Sequence, residues 1–147
     1  MVQVPTQRGR NVTCVAAISA SAGIIHKMVH IGLVNGETCH GFVEALMAIL
    51  PNEPMNLIMD NVRIHHFSRV QELVTGTQYT LLYLPPYSPF LNPIEECFSK
   101  WKGLVRRTPL ENRETLIARI EEASLAITPA DCNNWVNHSV FSLVYQL

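Results

Sequence analysis

The chain has 147 residues, 48% of them hydrophobic and 16% charged, with a formal net charge of −1. That length suits one domain with its own core, and the composition excludes a disordered tail, which combines low hydrophobicity with high charge. It also excludes an overall polycation, so any contact with nucleic acid must come from a local patch. Residues 11–20, NVTCVAAISA, form a β-rich apolar run. After the turn signal Ser21-Ala22-Gly23, the stretch Ile24–Ile31 is a second strand, so the two predict a hairpin. Asn35-Gly36 breaks the chain. Apolar residues at 42, 43, 46, 49 and 50 then give Thr38–Leu50 a helical face, which Pro51 and Pro54 stop.

Leu57-Ile58-Met59 is a short apolar run ending at Asp60, the pattern of a strand covered on both faces. His66–Val74 predicts a short helix ending before Gly76, and Tyr79–Leu84 a second buried strand. Residues 85–93, PPYSPFLNP, hold four prolines and cannot be regular structure. Asn92-Pro93 is a helix-start signal, with Asn as cap and Pro at the first position. Helices follow over Ile94–Arg107 and Glu111–Ala126, and a third opens at Thr128-Pro129. Strands alternating with helices, then helices alone, predict an α/β sheet with a helical C-terminal layer. No apolar run approaches the roughly 20 residues of a spanning helix, and the N-terminal segment has no apolar signal-peptide region. Cys14, Cys39, Cys97 and Cys132 are widely spaced with no CxxC pair. They read as reduced thiols of a protein that is not secreted, nuclear in a eukaryote and otherwise cytoplasmic.

Asp60 and Asp131 are the only aspartates. Asp60 stands at the C-terminal end of a predicted strand, where open α/β sheets bind ligands, although an Asp there also suits the start of a turn. Glu95 stands in the first turn of the helix opened by Asn92-Pro93, where an acid also complements the helix dipole, as Glu96 does. The combination is more specific than either. Asp60-Asn61 with His65, then Tyr87-Ser88-Pro89, Leu91-Asn92-Pro93-Ile94-Glu95 and Trp101-Lys102, resembles the mariner-like (Tc/mariner) branch of the DDE (Asp-Asp-Glu) transposases, the superfamily related to retroviral integrases. The 34 residues between Asp60 and Glu95 fit that branch. The resemblance covers about residues 8–107.

The resemblance implies a ribonuclease H-like α/β fold: a mixed sheet with flanking helices and a helical C-terminus, in a single catalytic domain over residues 1–147. It implies metal-dependent cleavage and joining of DNA, with transposon ends as the partner and Mg²⁺ or Mn²⁺ as the cofactor. Two hard cations hold the attacking and leaving oxygens of an in-line displacement, and carboxylates suit them. Asp60 and Glu95 are the implied catalytic and metal-binding residues, their carboxylates pointing into one cleft. Asn61, His65 and Asn92 are implied beside it. The family's first Asp has no counterpart: no Asp precedes position 60, and Glu37, Glu44 and Glu53 do not fall at its place. The chain therefore reads as a core without the first strand or the N-terminal helix-turn-helix, inactive alone. The alternative is a non-catalytic nucleic-acid-binding or protein-interaction remnant of a transposable element. Without that strand its apolar neighbours expose unpaired edges that template self-association, and Val2–Thr6 is a poor filler because Pro5 lacks an N–H.

Residues 100–119 carry six basic side chains against two acidic ones. Lys100, Lys102, Arg106 and Arg107 form a candidate phosphate-binding stripe, or equally a solvated helix face. His26 and His30 have a zinc-like spacing only on a helix, and here they fall on a strand. Tyr87 and Phe90 are expected to pack on the core rather than stack on bases, and Trp101 and Trp135 to anchor it.

Overall fold

A computed structural model describes residues 2–5, 11–61, 68–86, 88–109 and 113–145. The elements in chain order are β1 (Val2–Pro5), β2 (Asn11–Ser19), β3 (Gly23–Ile31), α1 (Gly36–Ile49), β4 (Met55–Met59), α2 (Ser68–Val74) and β5 (Tyr79–Tyr83). A 3₁₀ turn (Pro89–Leu91), α3 (Pro93–Val105), α4 (Arg113–Ser124) and α5 (Pro129–Tyr145) follow. They form two compact units. One, outer only in its place along the sequence, combines Met1–Leu33 with Pro93–Leu147, and the other, inner in the same sense, is the continuous segment Val34–Asn92. None of the described helices is long and apolar enough to cross a membrane.

The outer unit is an antiparallel sheet in the order β1-β2-β3, with α3 and α5 packed on β2 and α4 on α3. The expected hairpin is present, with Val12 opposite Ile31 and Ala17 opposite His26. A register shift lies between Ala17 and Ile18. Gly23 ends the turn at φ +78°, a left-handed backbone that glycine adopts without a Cβ clash. A Cβ there would lie 3.3 Å from the Pro129 nitrogen, so the hairpin end fits closely on the start of α5. Alternate residues of β2 turn inward, and Val12 and Cys14 join Cys97, Phe98, Trp101 and Val105 of α3 in the core. Leu116 and Ile120 of α4 and Cys132 of α5 complete it, with Trp135 packed against it. The Trp101 indole N–H donates to the Ile120 carbonyl at 2.9 Å, which satisfies its one polar atom and ties α3 to α4. Both tryptophans thus anchor the core as expected.

The strand β1 corrects the sequence reading. Val2–Pro5 pairs antiparallel with β2, from Val2 opposite Cys14 to Pro5 opposite Asn11. Pro5 is tolerated because it ends the ladder, where a missing N–H costs least. Among the described residues, β2 is therefore paired along both edges rather than left open on one.

In the inner unit β4 and β5 run parallel, Leu57 opposite Leu81 and Met59 opposite Tyr83, joined through α2 as a βαβ crossover. Asn35 caps α1, its Oδ1 accepting from the Thr38 N–H at 2.9 Å. Arg69 of α2 donates from one guanidinium nitrogen to both Glu37 oxygens, at 2.7 and 2.9 Å. Cys39, Phe42, Val43 and Leu46 of α1 and Val70 and Val74 of α2 are buried. Leu57 is buried with them, but its neighbour Ile58 is 55% exposed and Leu82, opposite Ile58, is 43% exposed. The expectation of strands covered on both faces fails there: an apolar run reports the residues' chemistry, not which face finds a partner.

Candidate active site

The crossover places Asp60 directly after β4, half-buried at the strand's C-terminal end. The chain beyond β5 stays in register for one more step, Leu84 N–H donating to the Met59 carbonyl at 2.9 Å. It then turns through the proline-rich segment. Leu91 N–H donates to the Ser88 carbonyl at 3.1 Å and closes the 3₁₀ turn, and the Leu91 side chain is buried. Asn92 follows, only 8% exposed. Its amide nitrogen donates to Asp60 Oδ1 at 2.7 Å, the short distance of a charge-assisted bond. Two motifs recognised separately in the sequence are thus joined by one side-chain contact across 32 positions.

Asn61 is exposed beside Asp60. Glu95 lies in the first turn of α3, half-buried, with Glu96 after it, so it belongs to the outer unit. His65, His66 and Tyr87 lie outside the described residues, as do Arg8, Gly9 and Arg10. Among the described residues no three His, Cys, Asp or Glu side chains converge as a metal site. The carboxylate oxygens of Asp60 and Glu95 have the hard-donor chemistry that Mg²⁺ and Mn²⁺ take, but they are two acids rather than three.

The basic side chains of the stripe are not equivalent. Lys100 is held by Asp131 of α5, Nζ to Oδ2 at 2.7 Å. Asp131 Oδ2 also accepts from the Thr128 N–H at 3.0 Å, while Asp131 N–H donates to Thr128 Oγ1 at 3.1 Å. This is a reciprocal cap on α5. The Lys100 hydrogen bond, with the Thr128 N–H behind it, lowers the Asp131 carboxyl below the usual carboxylate range. Arg119 donates to the carbonyls of Thr108 at 2.6 Å and Pro109 at 3.3 Å and so braces the loop after α3. Lys102 lies half-buried in the last turn of α3, and Arg106 and Arg107 are exposed just beyond it. The four cysteines are buried free thiols. Burial pushes Cys14 and Cys97 up to about 12.

Phe90, expected to pack on the core, is 54% exposed on the 3₁₀ turn. Only its position between buried Leu91 and the prolines, a property of the folded turn, sends it outward.

The sequence profile described as DDE superfamily endonuclease matches residues 2–117, most of the chain. The chain belongs to that family. A search of curated proteins returned no match. Among solved structures, this DDE endonuclease core is similar to the Mos1 transposase catalytic domain, solved with raltegravir and magnesium. The TM-score is 0.81 at 15% identity, over 92% of this chain and 73% of that one. At that identity the match establishes the fold, which is ribonuclease H-like, as expected. The position of Asp60 at the end of β4 is then the usual ligand-binding edge of a parallel pair.

Proposed function

We propose that this DDE endonuclease core derives from a mariner-like transposase and acts on the phosphodiester backbone of DNA. Asp60 and Glu95 are its second and third carboxylates. What carries the reading is the hydrogen bond from Asn92 to Asp60, which unites the two family motifs at one strand end. Asp60 and Glu95 would hold Mg²⁺ or Mn²⁺. When bound, such a cation polarises the scissile phosphate and stabilises the charge that develops on the attacking and leaving oxygens. Asn92 holds Asp60 in a fixed orientation, because a carboxylate tied by one oxygen cannot rotate freely between ligand and solvent. Lys102, Arg106 and Arg107 supply cations for DNA phosphates. Lys100 contributes less, since Asp131 already engages it.

The 147 residues themselves should not nick or join DNA measurably. Two carboxylates are a poor two-metal site, and the acids that precede Asp60 on α1 have partners of their own: Glu37 with Arg69, and Glu44 with His40 at 3.7 Å. The exposed Arg106 and Arg107, which serve phosphate contact whether or not cleavage occurs, favour as a second reading a DNA-binding module that keeps the scaffold without the chemistry. A plasmid-nicking assay with Mg²⁺ or Mn²⁺, paired with a gel-shift assay, separates the two. Metal-dependent cleavage that vanishes in Asp60→Ala would show that another group completes the site and that the core is active as it stands. Salt-sensitive binding without cleavage supports the reading given, and no binding to DNA at all would refute both.

A further inference from the structure

The feature that the proposed chemistry leaves unused is Phe90. We infer that Phe90 is a stacking platform for an unpaired DNA base beside the phosphate handled at Asp60; this rests on the reading of the chain as a DNA-acting core.

Phe90 is the middle residue of the 3₁₀ turn Pro89–Leu91, closed by the Leu91-to-Ser88 backbone bond. Pro89 fixes φ at one side, and Pro93 does so just past Asn92. Leu91 is 4% exposed and Asn92 8%, so the backbone after Phe90 is anchored in the inner unit. Phe90 itself is 54% exposed. A large aromatic ring on a braced turn loses little freedom when it meets a ligand, unlike the same ring on a loose loop.

Consecutive Cα atoms are about 3.8 Å apart, so the Cα atoms of Phe90 and Asn92 are within about 7.6 Å of each other. The Asn92 side chain touches Asp60 Oδ1 at 2.7 Å. Phe90 thus stands, in the same unit, two residues before the side chain that touches the acid. A phosphodiester inside a stacked duplex is hard to reach in line. Proteins that open DNA insert apolar wedges or stack splayed bases on aromatic faces. Phenylalanine offers a flat face and no hydrogen-bonding group, so the contact predicts a preference for unpaired over paired DNA with little choice of base.

The test uses the 147-residue chain with fluorescently labelled DNA, either a blunt duplex or the same duplex with a short single-stranded overhang. Anisotropy is read across a salt series for wild type, Phe90→Ala and Phe90→Trp. The expected result is a wild-type preference for the overhang that falls about tenfold in Phe90→Ala. Blunt-duplex affinity and the salt slope should stay unchanged, an outcome that general destabilisation would not give. Phe90→Trp should keep the preference, with its indole emission quenched by the overhang DNA. Equal overhang preference in wild type and Phe90→Ala, with salt-dependent binding intact, would overturn the role of Phe90 and leave the DNA reading standing. Failure of the wild type to bind either DNA at low salt would remove the DNA reading and this inference with it.

Discussion

The bond between Asn92 and Asp60 can be weighed by a double-mutant cycle. Net contributions of hydrogen bonds to charged groups run to roughly 1.5–3 kcal/mol. Asp60 is half-buried while Asn92 is nearly closed off, so water competes for one partner only and the lower figure applies. The expected coupling between Asn92→Ala and Asp60→Ala is therefore about 1.5 kcal/mol. For a chain of this length that corresponds to roughly 3–6 °C in Tm beyond what independent effects would give. Urea unfolding followed by circular dichroism on wild type, the two single variants and the double variant supplies the four free energies. Asp60→Ala removes this acceptor from a buried amide, so it should destabilise in its own right, although surface acids at strand ends are usually neutral when removed. A coupling inside the ordinary additivity error of about 0.5 kcal/mol would refute the argument that Asn92 orients Asp60.

Two further expectations concern the outer unit. The lowered carboxyl of Asp131 contributes stability that is fully present above its unfolded-state value, near 3.9, and is lost as pH falls through the lower folded value. The difference in unfolding free energy between wild type and Asp131→Asn should hold steady from about pH 7 to pH 5 and shrink below about pH 4; a difference unchanged on acidification would refute the Lys100–Asp131 account. The Cys14 and Cys97 thiols, pushed up to about 12 by burial, should resist a thiol reagent in the folded protein near neutral pH and react in denaturant. Rapid labelling of either in the native state would show that the core opens far more readily than its packing implies.

Much of this architecture is legible because local chemistry and tertiary structure agree. The turn at Ser21–Gly23, the break at Asn35-Gly36 and the helix start at Pro93 are each written in two or three residues, and the structure places elements accordingly. The reading fails where a neighbour decides. Val2–Pro5 is too short and too proline-marked to announce a strand, and its pairing with β2 makes it one. Ile58 and Phe90 carry apolar side chains that the sequence assigns to an interior, yet which face is covered depends on elements distant in the chain. The candidate site shows the same division. Asp60, Asn92 and Glu95 stand out as motif residues, but the contact between an asparagine after one strand and an aspartate after another is a product of the parallel register. Lys100 reads as a phosphate ligand until α5 is seen to bring Asp131 to it.

The division of the chain into a continuous inner segment and an outer unit built from both ends has a consequence for how its length can vary. The outer core joins β2 to α3, α4 and α5 across the whole of Val34–Asn92. If that segment is treated as a flexible loop, the entropy of closing it amounts to roughly 3–4 kcal/mol and grows only logarithmically. Doubling the segment would add only about 0.6 kcal/mol. Lengthening the connections inside the inner segment is therefore thermodynamically cheap for the outer core, however many residues are added. The parallel register of β4 and β5 and the Asn92 amide fix where the two motif segments meet, not how long the chain between them is. The same slow cost therefore applies to the connections on either side of α2, and the motif residues can keep their contact while the spacing between them varies.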